Sequence, residues 1–452
     1  MIGNNNSFTM AKAKTQKSNK DNKDNKDNKG NKSNKNLKDI TKTDEWNTAS
    51  WEYSRIIAEG MLPAMVTSVM GKLYETPQER IDIVKEIIGI CPEYYPAMLD
   101  IGQYSLAMGK DKEAKKYFDS GLSLVEKHCS KKDYRKTMKE ICDFLEIRFR
   151  YKMALEYYGP WLAAEKNKKE RAYIYNSMAY CYDMVGNLNK AIEVEKKAIS
   201  LHECADYQGD LGWSYIINGD AKNAKKALDS ALKLDKNDET ANANMEVYKW
   251  LNSNENKNFN DYLLREVDWD HINKLEDYDD DDDEDFGKYT AVIAEYNWCR
   301  LEAFKRDLLK NSEYSYTLAE KFDIYSTLKG FFNFVAKMCD EPFIYDRAGV
   351  IESNFDIIMH KFIFKTGDID EKIFNDIYAG VLEFYKFLQR NKLKSKSDYD
   401  ELKNTMLEMK SELKESMLKY NEVRHNPDYS EEEKEEIRDE LFEGHHEFWC
   451  TI

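Results

Sequence analysis

The sequence predicts an all-helical protein, with a superhelical array of paired helices in its first half and a second helical domain after it. Three observations support this. A spacing of small and aromatic residues repeats between Pro96 and Lys236. No segment alternates apolar and polar residues with the two-residue period of a strand. Only 7 prolines occur among 452 residues, 34% of them charged, a balance typical of soluble, mostly helical chains.

The repeat runs as follows. Gly102, Ala179 and Gly212 are each followed seven residues later by Gly109, Gly186 and Gly219. Then come Ala114, Ala191 and Ala224, next Gly121, Ala198 and Ala231, and finally Leu124, Leu201 and Leu234. That order suits two antiparallel helices joined by a tight turn. Glycine stands where the first helix must stop and reverse, and small residues stand where the two helices cross closely.

Residues 1–45 come first and form an Asn/Lys-rich segment with 11 lysines against 6 acids, too poor in apolar groups to fold. A helical array is expected over 46–252. Ile56, Ile57, Met61, Met65, Val69 and Leu73 follow a helical period, and Thr76-Pro77 opens a helix that Cys91-Pro92 closes near Ile90. Residues 61–94 read as a degenerate first repeat. The next unit, 95–128, places Met98, Ile101 and Gly102 on its first helix and Ala114, Phe118 and Gly121 on its second. Residues 129–171 read as irregular, with Cys142, Leu145, Ala154, Tyr158 and Trp161 near repeat positions and Gly159-Pro160 interrupting the second helix. Two regular repeats, 172–204 and 205–237, follow. Ala241, Met245 and Tyr248 then mark a capping helix whose other face is polar.

Composition changes over 253–287, which holds 14 acids against Lys257, Arg265 and Lys274. The seven adjacent acids Asp279–Asp285 lack the glycine and alternation of a calcium loop, so this stretch reads as a solvated linker. A helical domain is expected over 288–425, with helices near 289–310, 315–338, 350–365, 370–391 and 398–422. Residues 426–452 complete the chain with a charged helix over 428–443.

The glycine, alanine and aromatic pattern over about 95–250 resembles the tetratricopeptide repeat. That resemblance implies a binding scaffold whose first helices line a concave groove for a peptide or partner helix. By position the groove would present Tyr173, Asn176, Tyr180, Asp183, Trp213, Ile216 and Ile217, with Lys136, Lys139 and Asp143 from the irregular unit. Tyr180 and Trp213 lead, because large aromatic side chains dominate interface energy. Members that clamp a chaperone's terminal carboxylate pair asparagine with lysines that Asn176 lacks, so that specialisation is not implied. Residues 313–420, through Tyr316-Thr317, Phe331-Phe332-Asn333-Phe334, Phe362-Ile363 and Phe384-Tyr385-Lys386-Phe387-Leu388, resemble a helical domain of uncharacterised microbial proteins. That domain is itself similar to the DNA-gripping module of tyrosine recombinases.

Catalytic motifs are absent. The sequence holds no glycine-rich phosphate loop, no Gly-x-Ser-x-Gly and no His-Glu-x-x-His. His445-His446-Glu447 and Cys450 fall short of a metal set, and His202 and Cys204 read as turn residues. No cofactor is expected. The 8 scattered cysteines suit reduced thiols in a cytoplasmic protein, and no apolar run is long enough to span a membrane. The net charge of −16 disfavours a broad nucleic-acid surface.

The reading is thus a non-enzymatic scaffold or adaptor whose partner is another protein or peptide, its oligomeric state open. The alternative is a nucleic-acid-associated regulatory protein acting through the basic tail and a Lys/Arg face. That face would comprise Lys305, Arg306, Lys310, Lys361, Lys365, Arg390, Lys392, Lys394 and Lys396.

Overall fold

The structure, a computed structural model, describes residues 40–61, 76–276, 283–339, 342–366, 369–424 and 426–442. Met65, Val69 and Leu73, nearly all of the 1–45 segment, most of the acidic run, and His445, His446, Glu447 and Cys450 lie outside those residues. Among the described residues there are α-helices, one 3-10 turn and no strand: the fold is all-α. The chain divides into two compact units, one reaching Ser253 and the other starting at Asn254.

In the first unit α1 (Asp44–Met61) and α2 (Pro77–Ile90) precede four helix pairs. These are α3 (Tyr95–Ala107) with α4 (Asp111–His128), α5 (Lys131–Ile147) with α6 (Tyr151–Ala164), α7 (Lys168–Met184) with α8 (Leu188–Leu201), and α9 (Ala205–Ile217) with α10 (Ala221–Leu234). A last helix, α11 (Glu239–Ser253), follows. Side chains satisfy the free N–H groups where several of these helices start. Thr76 and Glu79 form a reciprocal capping box at α2, and Ser130 and Asp133 form one at α5.

The turn inside each pair ends the first helix in the same way. Gly109, Gly186 and Gly219 adopt φ of 73°, 82° and 75°, in the left-handed region. The next residue's N–H reaches back to the last helical turn: Lys110 to the Ser105 carbonyl at 2.9 Å, Asn187 to Tyr182 at 2.8 Å, Asp220 to Tyr215 at 2.9 Å. Glycine suits this position because it has no Cβ to clash with the carbonyl.

The unit over 129–171 is more regular than its sequence suggests. Phe149 takes the glycine's place at φ 65°, and Arg150 N–H reaches the Leu145 carbonyl at 2.7 Å. The signature disappears from the sequence while the turn remains. Packing compensates the strained backbone: Phe149 is buried, with its ring stacked on Tyr151 at 6.2 Å. Gly159-Pro160 does not interrupt the second helix, since α6 runs through both. Both residues are exposed, so the hydrogen bond that Pro160 cannot donate is lost on a face open to water.

Helices within a pair approach closely at the small residues. A Cβ on Gly102 would lie 2.6 Å from the Phe118 ring, and one on Gly212 would lie 2.6 Å from Leu228 Cδ2. Polar links join successive pairs. Buried Arg150 donates to Asp111 at 3.1–3.2 Å and to the Leu106 carbonyl at 3.3 Å, tying the α5–α6 turn to the α3–α4 turn. Tyr157 of α6 donates to Asp119 of α4 at 2.8 Å.

The second unit contains α12 (Phe259–Leu263), α13 (Trp269–Glu276), α14 (Asp283–Lys310), α15 (Leu318–Met338), α16 (Ala348–Ser353), α17 (Phe355–Thr366), α18 (Glu371–Arg390), α19 (Lys396–Arg424) and α20 (Glu431–Phe442). Its beginning corrects the reading of 253–287 as one linker. Phe259, Tyr262 and Leu263 are buried, and Ile272 packs with Tyr289, Ile293, Tyr296 and Ile344. The acids of this stretch dominate its charge, but its apolar residues fall at spacings that bury one side of two short helices. Arg300 anchors the junction. Fully buried, it binds Asp346 at 2.9–3.0 Å and donates to the Leu263 and Arg265 carbonyls at 2.6 Å. The aromatic runs form the core: Phe332 stacks on Tyr345 at 4.3 Å and meets Phe384 at 5.1 Å.

Candidate interaction face

The first helices of successive pairs are linked side by side. Lys139 of α5 donates to the Tyr173 hydroxyl of α7 at 3.0 Å. Asn176 of α7 donates to Asp210 of α9 at 2.7 Å, and Asn244 of α11 donates to the Gly209 carbonyl at 3.2 Å. Each helix therefore buries its flanks against neighbours and keeps one stripe open.

On α9 the stripe is Asp206, Asp210, Trp213 and Ile217, all partly exposed, while Ala205, Gly209, Gly212 and Ile216 are buried. Spacings of four, three and four residues keep those four on one side of the helix. On α7 the open residues include Tyr173 and Tyr180. Tyr180 meets Tyr151 edge-on at 5.7 Å, and Tyr173 meets Trp161 at 6.2 Å. On α5 they are Lys136, Lys139, Asp143 and Ile147, the last 51% exposed.

The groove set read from the sequence divides accordingly. Tyr173, Tyr180, Trp213 and Ile217 keep exposed surface, as do Lys136, Lys139 and Asp143. Asn176, Asp183 and Ile216 do not, being 7%, 4% and 4% exposed. Asn176 serves the array itself: its amide bridges Asp210 and Glu195, the latter at 3.2 and 3.3 Å. Asp206, Asp210 and Ile147 were missed by family position alone. Counting one and two helical periods back from Trp213 would have found Asp210 and Asp206.

Electrostatics on this face follow the pairing. Burial opposes the Lys139 charge, but Asp143 at 2.5 Å and the Tyr173 hydroxyl outweigh it and hold its pKa above the ordinary value. At the start of α9, burial raises the Cys204 thiol pKa, and the nearby charges of Asp206 and Asp210 add to it.

The basic residues of the alternative reading are divided: Lys310, Lys392 and Lys396 are exposed and Lys394 is partly exposed, while others are buried or paired with acids. Lys305 is 6% and Lys361 2% exposed. Lys305 and Arg306 both bind Glu302, at 2.5 and 2.7 Å. Arg390 binds Asp307 at 2.6 Å and Glu313 at 2.7 Å. Lys365 has no described side chain. Among the described residues no cluster of His, Cys, Asp and Glu has the makings of a metal site. Within the same residues no helix is long and apolar enough to cross a membrane.

Residues 205–238, covering α9 and α10, match the family model described as the tetratricopeptide repeat. That match covers one helix pair of the first unit. Its α9–α10 pair shows the turn glycine and the small crossing residue in register with the α3–α4 and α7–α8 pairs. Among solved structures the chain is similar to the P58(IPK) TPR domain at 15% identity, over 78% of this chain and 87% of that one. The TM-score is 0.21, too low to compare positions. No curated protein matches the chain. Repeats of this kind suggest a protein–protein interaction scaffold.

Proposed function

We propose that this protein is a non-enzymatic adaptor whose repeat unit holds a peptide or helix of another protein across α5, α7 and α9. One observation carries this reading: adjacent first helices leave Ile147, Tyr173, Tyr180, Trp213 and Ile217 partly uncovered on a rigid, hydrogen-bonded frame. Aromatic side chains on such a frame offer large contact area with little conformational entropy left to lose. Tyr180 and Trp213 are the anchors.

The test uses the full chain as bait in native extract, beside a Tyr180→Ala/Trp213→Ala variant of matched helicity and thermal midpoint. A protein retained by the wild type and lost by the variant supports the reading. Identical capture profiles for the two baits refute it.

A further inference from the structure

We propose that the outer face of α10 is a second interaction surface, and that it takes a short acidic segment of another protein. The carboxylates of that segment would lie along Lys222, Lys226 and Lys233. This goes beyond the adaptor reading and uses none of the residues on α5, α7 and α9.

Among the second helices of the pairs, α10 stands apart in charge. Helix α4 carries four lysines against four acids, α6 one against one, and α8 three against two. Helix α10 carries Lys222, Lys225, Lys226 and Lys233 against Asp229. That aspartate is taken within the helix by Lys225, at 2.9 and 2.7 Å. Lys222, Lys226 and Lys233 are exposed, and among the described residues no carboxylate lies within ion-pairing distance of them. Spacings of four and seven residues put the three on one side of the helix. The other side is buried through Ala224, Leu228 and Ala231, with Leu228 against Gly212 of α9. At about 1.5 Å rise per residue the lysine stripe is about 16 Å long. An extended segment of about five residues spans it.

Helix stability does not account for where these lysines sit. Beyond the Asp220 cap the first turn of α10 holds no acid, whereas α4 opens on Asp111 and Glu113. Lys222 in that turn opposes the helix dipole, so the backbone adds to the lysine field. The field reaches the α9–α10 turn and α8. The Asp220 carboxylate accepts from the Asn223 N–H at 3.1 Å and from its amide at 2.6 Å. Those bonds first, and then the charges of Lys196 and Lys222, hold its pKa below the ordinary value. Lys196 of α8 lies over the Tyr215 ring at 5.6 Å. On α11, Glu246 is taken by Lys249 at 2.6 Å. A short acidic segment lies wholly over the lysines and gains from this field. A nucleic acid would extend past them, where the chain's net charge of −16 repels it.

The experiment selects binders from a random dodecapeptide library on the immobilised full chain at about 0.15 M salt, where distant charges are screened. Peptides that also bind Lys222→Gln/Lys226→Gln/Lys233→Gln are removed. Glutamine keeps the helix propensity of lysine and deletes its charge, so this variant should fold as the wild type does. The expected result is peptides with several Asp or Glu within about five residues. Their affinity should fall about tenfold or more in the lysine variant and in copies with Asn and Gln for Asp and Glu. It should stay unchanged in Tyr180→Ala/Trp213→Ala. Peptides without acidic bias, or none that distinguish the lysine variant from wild type, overturn the inference. Peptides lost only in Tyr180→Ala/Trp213→Ala overturn it and leave the adaptor reading standing. A single-stranded oligonucleotide that displaces the acidic peptides, and that the lysine variant does not bind, would assign the face to nucleic acid and also overturn it.

Discussion

Gly212 is where the repeat is most sensitive to a single methyl group. In Gly212→Ala the new Cβ would sit 2.6 Å from Leu228 Cδ2 and 2.7 Å from its Cγ. Carbon atoms rest at roughly 3.5–4.0 Å, so the overlap is about 1 Å. Leu228 is fully buried and has no open side to retreat into. Overpacking of this kind costs about 1–3 kcal/mol, whereas Ala gains about 1 kcal/mol over Gly in helix propensity. Gly89→Ala in α2 separates the two effects, because a Cβ there meets nothing within 4 Å. Near a helix end its propensity gain is somewhat below 1 kcal/mol, and no clash opposes it. The Gly89 variant should therefore be neutral to slightly stabilised and the Gly212 variant destabilised, a gap of about 1–3 kcal/mol. Urea titration of the full chain followed by far-UV circular dichroism measures the gap, provided the slope of each transition stays unchanged. Equal midpoints for the two variants would refute the claim that α9 and α10 meet too closely for a side chain.

Other substitutions probe the remaining devices. Gly219→Ala, at φ 75° with open space around it, should lose about 1–2 kcal/mol from backbone strain alone, read as a lower urea midpoint. Arg300→Ala should cost about 3–5 kcal/mol by leaving Asp346 buried without its cation, read as a lower thermal midpoint; an unchanged midpoint would remove Arg300 as the anchor of the second unit. Glu302 is buried, yet the charges of Lys305 and Arg306 overcome burial and hold its pKa down to about 2. A depressed carboxylate stabilises the fold above its unfolded pKa, about 4.3, and that stability is lost as pH falls towards about 2. Wild type should therefore lose about 3 kcal/mol across that window relative to Glu302→Gln, and parallel stability curves for the two would refute the pairing.

The candidate interaction face was half legible. Repeat position pointed to Tyr173, Tyr180, Trp213 and Ile217, which do keep open surface. It also pointed to Asn176, Asp183 and Ile216, which neighbouring helices cover. A position in a repeat tells which side of a helix a residue occupies. How far the next helix overlaps that side depends on the side chains of both, so burial was not readable from one helix alone.

The sequence by itself determined the paired helices and most of their turns. Gly109, Gly186 and Gly219 mark left-handed backbone, and Gly102, Ala179 and Gly212 mark close crossings, because few residues satisfy either demand. Only the tertiary structure decided the cases where packing replaces local chemistry. Phe149 holds a glycine's conformation because its ring is buried on Tyr151, and Pro160 stays helical because its side of α6 is open to water. Residues 254–276 join the second unit because Phe259, Tyr262, Leu263 and Ile272 find partners distant in sequence. Local signals record what a backbone turn or a crossing permits; long-range burial depends on partners that no local pattern names.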